Sequence, residues 1–169
     1  MKTTSPSRVE EARQRLIELG GRTAQDLGVG RIPGQLLVYL YLQDAECSLD
    51  EIEAALGLSK AAVSTAARQL ETLGLIHQVW KRGDRRNYYR TADNMGAALQ
   101  QGLLSLIRRK LDAAQTEMDQ VAEVIGEGMR QPQPEPGLEF LGKRLLRART
   151  LRDRLARVLG SRWLNILVR

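Results

Sequence analysis

Residues 48–91 read SLDEIEAALGLSKAAVSTAARQLETLGLIHQVWKRGDRRNYYRT, and this stretch decides the fold. It opens with a capping box, in which Ser48 is followed three residues later by Glu51. The helix that begins there is predicted to end at Gly57, and Ser59 is predicted to cap the next helix. The stretch therefore starts with two short helices joined by a tight turn.

A basic hairpin follows the second helix, which Gly74 is predicted to stop. Residues 75–80 alternate as a short strand does, and residues 88–91 can pair back against them. Between the two strands lies the turn KRGDRR, residues 81–86, with a glycine at its tip. Helix, tight turn, helix and basic hairpin in this order predict a winged helix-turn-helix domain with a three-helix core and a small β-hairpin wing.

Two further helices are predicted on the N-terminal side of this domain. Ser5 followed by Pro6 is a typical helix start, and the helix is expected to reach about Leu27, where glycines interrupt it. Pro33 is expected to open a second, very apolar helix that continues through Leu42. The chain is thus predicted to be mainly α.

The C-terminal part has a different pattern, which predicts long helices that need a partner. Apolar residues recur at alternating spacings of three and four, which is the repeat of a helix–helix seam. The predicted dimer seam consists of Leu104, Ile107, Leu111, Met118, Val121, Ile125, Leu141, Leu145 and Leu155. The predicted organisation is an N-terminal dimerisation helix at 1–30, the winged domain at 31–91, a long dimerisation helix at 92–130, a Pro-rich break at 131–137 and a basic amphipathic helix at 138–169.

The second helix of the winged domain places polar residues on one face. Lys60, Ser64 and Arg68 are spaced by four residues and lie opposite the apolar stripe, with Thr65 and Gln69 beside them. A major groove about 12 Å wide admits such a helix, and these side chains can donate to base edges and phosphates. The predicted recognition residues are Ser59, Lys60, Ala61, Ser64, Thr65 and Arg68.

The hairpin turn supplies much of the positive charge. The chain has a net charge of +6, and residues 81–91 hold five basic residues and one acidic residue. Arginines on a projecting loop suit phosphate contacts and insertion into a narrow minor groove. The predicted wing contacts are Lys81, Arg82, Arg85, Arg86 and Tyr88, and double-stranded DNA is the predicted partner.

The composition excludes several classes of function. Cys47 is the only cysteine and His77 the only histidine, which excludes an intrachain disulfide and any multi-histidine metal site. Since no nucleophile–base pair stands out, we predict no catalytic residues, no metal, no cofactor and no enzymatic activity. No apolar stretch approaches the about 20 residues of a membrane span, so a cytoplasmic protein without membrane contact is expected.

Two segments, residues 49–64 and 70–76, resemble the MarR family of winged-helix transcriptional regulators. The flanking segments 27–34 and 79–89, the latter with the sequence VWKRGDRRNYY, are similar to the GbsR-like branch of that family. The resemblance covers roughly residues 27–90.

The resemblance implies a homodimer that binds a near-palindromic operator and acts as a repressor. It also implies that a small ligand releases the DNA in many members, although no ligand residues carry over to this chain. Asp84 and Arg86 match the aspartate-x-arginine pair that braces the wing in many members.

Two other functions fit the residues. A non-specific architectural DNA-binding protein would use the same basic surface without reading sequence, and an adaptor would use the winged domain to bind protein. The arginines of the C-terminal helix also allow three interpretations. In order of preference they pair with acidic residues across the dimer, extend the DNA-binding surface or lie on anionic lipid.

Overall fold

The computed structural model describes residues 7–160, so the predicted helix start at Ser5 and Pro6 and the C-terminal residues 161–169 lie outside it. The chain divides into two compact units, between Gly102 and Leu103. This division lies inside a long helix rather than before it, because the first turns of that helix belong to the first unit. Ala98 is buried there, and a Cβ on Gly102 would lie 3.1 Å from the carbonyl oxygen of Leu73.

The first unit has the element order of a winged helix-turn-helix domain. Its elements are α1 (Arg8–Asp26), α2 (Arg31–Tyr41), β1 (Cys47–Ser48), α3 (Leu49–Leu56), α4 (Lys60–Thr72), β2 (Ile76–Val79), β3 (Tyr88–Thr91) and the start of α5 (Met95–Met129). The strands form one antiparallel sheet in the order β1-β3-β2. Helices α2, α3 and α4 and strand β2 each contribute fully buried side chains to one core: Leu36, Ile52, Val63, Leu70 and Ile76. The predicted fold class is confirmed.

The capping signals act as predicted. The Ser48 hydroxyl accepts from the Glu51 N–H at 3.3 Å, and the Glu51 carboxylate accepts from the Ser48 N–H at 2.6 Å, which completes the capping box of α3. Ser59 caps α4 by accepting from the Ala62 N–H at 3.3 Å. Gly57 joins the two helices with a φ of +63°, a left-handed conformation that costs glycine little.

Two local details differ from the sequence-based expectation. Helix α2 begins at Arg31, ahead of Pro33, and the proline is tolerated because amides in the first turn have no intrahelical acceptor. Strand β1 was not predicted, since two residues carry no readable alternation. Its register opposite β3, with Cys47 facing Tyr89 and Ser48 facing Tyr88, ties the start of α3 to the base of the wing.

Helices α1 and α2 cross at a close approach between glycines. A Cβ on Gly34 would lie 2.4 Å from the Gly20 carbonyl oxygen and 2.5 Å from the Ala24 Cβ. Only a residue without a side chain fits at this contact. The crossing therefore depends on Gly34.

In the second unit, the remainder of α5 and helix α6 (Leu138–Gly160) run antiparallel. Near the turn, a Cβ on Gly128 would lie 2.7 Å from Leu138 Cδ1, and at the far end Arg108 donates to the Leu159 carbonyl oxygen at 2.6 Å. None of the residues 103–160 is buried. Over the described part of the chain, no helix combines the length and apolarity that crossing a membrane requires.

Candidate nucleic-acid interface

Helix α4 separates a buried stripe from an exposed polar face. Val63, Ala67 and Leu70 have no exposed surface and hold the helix in the core. The face on the other side is formed by the predicted recognition residues. Of these, Ser59, Lys60, Ala61, Thr65 and Arg68 are exposed and Ser64 is half-buried. The structure thus places all six predicted recognition residues along one side of α4, from its N-cap Ser59 to Arg68 in its second half.

The charged groups on this face are held in place by neighbours. Lys60 Nζ lies 3.0 Å from Asp50 Oδ1, and this hydrogen bond with its ion pair raises the pKa of Lys60. Arg68 donates through Nη2 to the Ser64 hydroxyl at 3.3 Å. Both cations remain exposed, so their charge is available to a polyanion while their side chains are partly ordered.

Gln69, expected to lie beside the polar row, has a different role. Its Nε2 donates to the Val29 carbonyl oxygen at 2.7 Å, which fixes the loop between α1 and α2 against α4. The side chain is half-buried. It satisfies a loop carbonyl and does not extend the exposed face of α4.

The wing is stiffened by one carboxylate that gathers several donors. Asp84 accepts from the Arg86 backbone N–H at 2.9 Å, from Arg86 Nη2 at 2.7 Å and from the Tyr88 hydroxyl at 2.8 Å. The Arg86 hydrogen bonds hold the pKa of Asp84 far below its usual range, and Asp84 in turn raises the pKa of Arg86 and of Tyr88. We call this cluster of Asp84, Arg86 and Tyr88 the wing brace.

Lys81 completes the braced side of the wing. Its Nζ lies 4.0 Å from the centre of the Tyr88 ring and 3.4 Å from Glu46 Oε2. Glu46 precedes β1, so this ion pair links the wing to the neighbouring strand. The pKa of Glu46 is lowered, first by a backbone hydrogen bond and then by Lys81.

The five predicted wing contacts therefore fall into two groups. Lys81 and Arg86 have partners within the wing or its base, and Tyr88 is only 6% exposed with its hydroxyl directed at Asp84. Arg82 and Arg85 are exposed, and neither forms a hydrogen bond or ion pair within residues 7–160. These two arginines flank Gly83, whose φ of +86° makes the turn tight.

The sequence does not show that Tyr88 belongs to the wing brace. Strand β3 begins only at Tyr88, so Asp84 and Arg86 lie in the turn, where strand alternation does not predict which side chains meet. The Tyr88 hydroxyl donates to Asp84, so it would have to leave that carboxylate before it could donate to a phosphate.

The predicted seam residues of α5 and α6 differ in how far they are buried within one chain. The half-buried ones are Leu104, Leu111, Met118, Ile125 and Leu145, and the exposed ones are Ile107, Val121, Leu141 and Leu155. An open apolar groove of about 690 Å³ runs between the two helices, with Val121, Ile125, Leu141 and Leu145 in its walls. Arg149 crosses the hairpin to pair with Asp119 and donates to the Met118 carbonyl oxygen at 3.1 Å.

Metal-ligating and nucleophilic side chains are the other candidates for a functional site within residues 7–160, besides the basic surface. Among residues 7–160, no group of three or more His, Cys, Asp or Glu side chains is arranged to hold a metal ion. Cys47 is buried, and burial is the main cause that raises the pKa of its thiol. A thiol of raised pKa is a weaker nucleophile at neutral pH.

Comparisons with known proteins agree with this geometry. Residues 27–87 match the model of the MarR family. The chain is 33% identical over 145 residues to the HTH-type transcriptional regulator MmpR5 of Mycobacterium tuberculosis, covering 83% of this chain and 76% of that protein. It is 31% identical over 81 residues to the HTH-type transcriptional repressor GbsR of Bacillus subtilis, covering 48% of this chain and 44% of that protein. A crystal structure of a transcriptional regulator superposes with a TM-score of 0.57 at 27% identity, covering 88% of this chain and 96% of that one.

Proposed function

This chain belongs to the MarR family of DNA-binding transcriptional regulators, and we propose that it acts as a homodimeric repressor on a near-palindromic operator. Each subunit inserts the N-terminal end of α4 into a major groove, and its wing follows the adjacent backbone or minor groove. Two-fold symmetry then requires half-sites about one helical turn apart, or a multiple of it. The observation that carries this proposal is the exposed donor face of α4 together with a braced wing that leaves two arginines unpaired.

The residues on α4 divide the work of recognition. Lys60, Ser64, Thr65 and Arg68 offer donors to base edges and phosphates, and Ala61 allows the helix to approach closely. Ser59 contributes through its cap, which fixes the helix end that enters the groove. Asp50 holds Lys60 in a defined direction before DNA arrives.

On the wing, we assign the DNA contacts to Arg82 and Arg85. Lys81, Arg86 and Tyr88 contribute by holding the turn in shape, because their polar groups already have partners. A preformed loop loses less side-chain freedom on binding than a loose one, which increases affinity without any further contact.

The second copy of the chain is proposed to cover the apolar surfaces that each subunit leaves open. In the second unit, Val124, Phe140 and Leu146 are 67%, 58% and 65% exposed. In the first unit, an almost purely apolar groove of about 460 Å³ includes Leu16, Leu19 and Leu37 in its lining. Apolar surfaces of this extent are typical of subunit interfaces. An effector, if it shares this groove, would have to be largely apolar.

The proposal also includes an absence of enzymatic activity and a cytoplasmic location. Both follow from the family rather than from a particular residue. The sign of regulation, repression, is supported by the name of the relative from Bacillus subtilis.

The proposal is tested by the salt dependence of DNA binding. Each phosphate contact adds about 0.9 to the magnitude of the slope of log affinity against log salt. Arg82→Ala and Arg85→Ala should each reduce both the affinity and this slope. The matched control is Arg15→Ala, which removes the same charge from an exposed side chain of α1. If all three variants bind with wild-type affinity and slope, the wing is not part of the interface.

A further inference from the structure

Trp80 is the most exposed large apolar side chain among residues 7–160, at 76%. It lies directly after β2, where the strand gives way to the wing turn. Only 4% of the residues in this chain are aromatic. An indole left in water is unfavourable on its own, because burying a large apolar side chain is worth about 1.5–3 kcal/mol.

Strand alternation places Trp80 away from the wing brace. Val79 pairs with Tyr88, so Val79 and Lys81 share the face on which Lys81 covers the Tyr88 ring. Trp80 follows on the opposite face, which is that of Gln78. Gln78 Nε2 donates to Asn87 Oδ1 at 2.9 Å, which links β2 to the residue that precedes β3.

The surroundings of Trp80 favour a polyanion over an apolar partner. The next residues, Lys81 and Arg82, are exposed cations, and Arg85 across the turn is an unpaired one. Trp80 thus adjoins the basic turn in the chain, and an indole there offers a flat apolar face to a sugar ring and an N–H donor to a phosphate. A protein interface would instead place further apolar side chains beside it.

We propose that Trp80 is a DNA contact of the wing, its ring packing on a deoxyribose and its Nε1–H donating to a phosphate. This proposal rests on the proposed function, since it assigns a further residue to the same interface. Under this proposal, the DNA backbone is contacted by the face of the wing that carries Trp80 as well as by the turn at the tip of the wing.

The first test uses tryptophan emission. The chain has two tryptophans, so Trp163→Phe leaves Trp80 as the single emitter. The probe is a labelled duplex obtained by selection from random sequence, so that emission and anisotropy are followed in one titration. The emission of Trp80 should change and saturate together with the anisotropy. If Trp163→Phe does not fold, the same comparison is made between wild type and Trp80→Phe, in which the emission change should be lost.

The second test separates direct contact from positioning. Trp80→Ala should weaken binding about tenfold, since it removes one buried apolar contact per subunit. It should leave the salt slope unchanged, because no charge is removed. Arg85→Ala should reduce both the DNA affinity and the salt slope. Trp80→Phe retains a ring without the donor and should recover part of the lost affinity.

The outcomes distinguish this proposal from the function on which it rests. Anisotropy that saturates while Trp80 emission stays constant, with Trp80→Ala binding as wild type, overturns the proposal and leaves the regulator function intact. A salt slope reduced by Trp80→Ala means that the indole only positions the arginines, which also overturns it. An emission change that depends on protein concentration without DNA assigns Trp80 to a protein interface. If selection from random sequence yields no duplex that the protein binds, the proposed function itself is contradicted.

Discussion

At the scale of single residues, the wing depends on one carboxylate. Asp84 is the only acidic residue in the turn of the wing, which we expect to meet a polyanion. Asp84 stabilises the turn by accepting hydrogen bonds from the backbone N–H and the guanidinium of Arg86 and from the Tyr88 hydroxyl. Electrostatics alone would favour its removal, whereas the brace requires its presence.

For the variant Asp84→Asn, the loss of negative charge and the loss of the brace predict opposite changes in DNA affinity. Removing a negative charge near DNA strengthens binding by itself. Loss of the brace should outweigh this gain and weaken binding about three- to tenfold, because Arg86 and the turn lose their preorganisation. The measurement is a fluorescence anisotropy titration. The matched control is Asp93→Asn, an exposed aspartate paired with Arg90, which should bind as tightly as wild type or slightly more tightly. Tighter binding by Asp84→Asn would show that the brace has no function.

The brace should also be insensitive to pH over a wide range. Asp84 has a depressed pKa, so its contribution is fully present above the ordinary value of 3.8 and is lost only well below it. Tyr88 has a raised pKa, so its contribution is present below the ordinary value of 10.0 and is lost only above it. The NMR shifts of the Tyr88 ring should therefore stay constant between about pH 4.5 and 9. A titration of these shifts near neutral pH would contradict the observed hydrogen bonds.

At the scale of elements, the helix boundaries were readable from the sequence because caps are local. Ser48 with Glu51, Ser59 and Gly57 act within one turn of chain, and each lies where the pattern predicts. Strand β1 and the link from Lys81 to Glu46 were not readable, since both depend on residues distant in sequence. The Asp84–Arg86 pair followed from the family resemblance, and the addition of Tyr88 required the hairpin geometry.

The capping box of α3 should be measurable in both stability and pH dependence. Ser48→Ala should lower the free energy of unfolding by about 1–2 kcal/mol, because the Glu51 N–H loses its acceptor, the hydroxyl of the fully buried Ser48. The Ser48 N–H and hydroxyl hold the pKa of Glu51 below its usual value. Its stabilising effect is therefore present above the ordinary value of 4.5 and is lost as the pH falls through the lower folded value.

Urea denaturation at a series of pH values tests this expectation. Wild type should lose stability on acidification more steeply than Glu51→Gln, which has no carboxylate to protonate. Parallel curves for the two proteins would mean that Glu51 does not stabilise α3 through its charge.

The crossing of α1 and α2 gives a second prediction at this scale. Gly34→Ala forces a Cβ against the Gly20 carbonyl and Ala24, contacts of 2.4 and 2.5 Å that require the helices to separate. We expect a loss of about 2 kcal/mol or more in the free energy of unfolding. The control is Gly96→Ala in the exposed first turn of α5, where the nearest atom would be 3.7 Å away. Thermal denaturation that shows the two variants to be equally stable would contradict the close crossing.

At the scale of the whole molecule, local sequence patterns do not determine which surface covers the exposed apolar residues of α5 and α6. The seam was predicted from its repeat, but a repeat does not say which partner covers it. Several seam residues are half-buried within one chain, whereas Val121 and Leu141 remain 48% and 53% exposed. None of the residues 103–160 is buried in one chain, and we propose that a second copy covers the apolar surface of this hairpin.

Disruption of the apolar face of α5 should therefore dissociate the protein. Val124→Glu puts a charge on a side chain that is 67% exposed in one chain and that we expect to be buried in the dimer. Light scattering coupled to size exclusion should show monomer for this variant and dimer for wild type. Gln133→Glu adds the same charge in the Pro-rich break and should remain dimeric. A dimeric Val124→Glu would place the interface elsewhere.

The most direct measurement is the ratio of affinities for a selected duplex and a scrambled one, at about 150 mM salt, by fluorescence anisotropy. A sequence-specific regulator should prefer the selected duplex by about 10³ or more. The selected sequence should have two-fold symmetry, with half-sites about one helical turn apart. Equal binding to both duplexes, with a steep salt dependence, would contradict recognition by α4 and indicate an architectural DNA-binding protein instead.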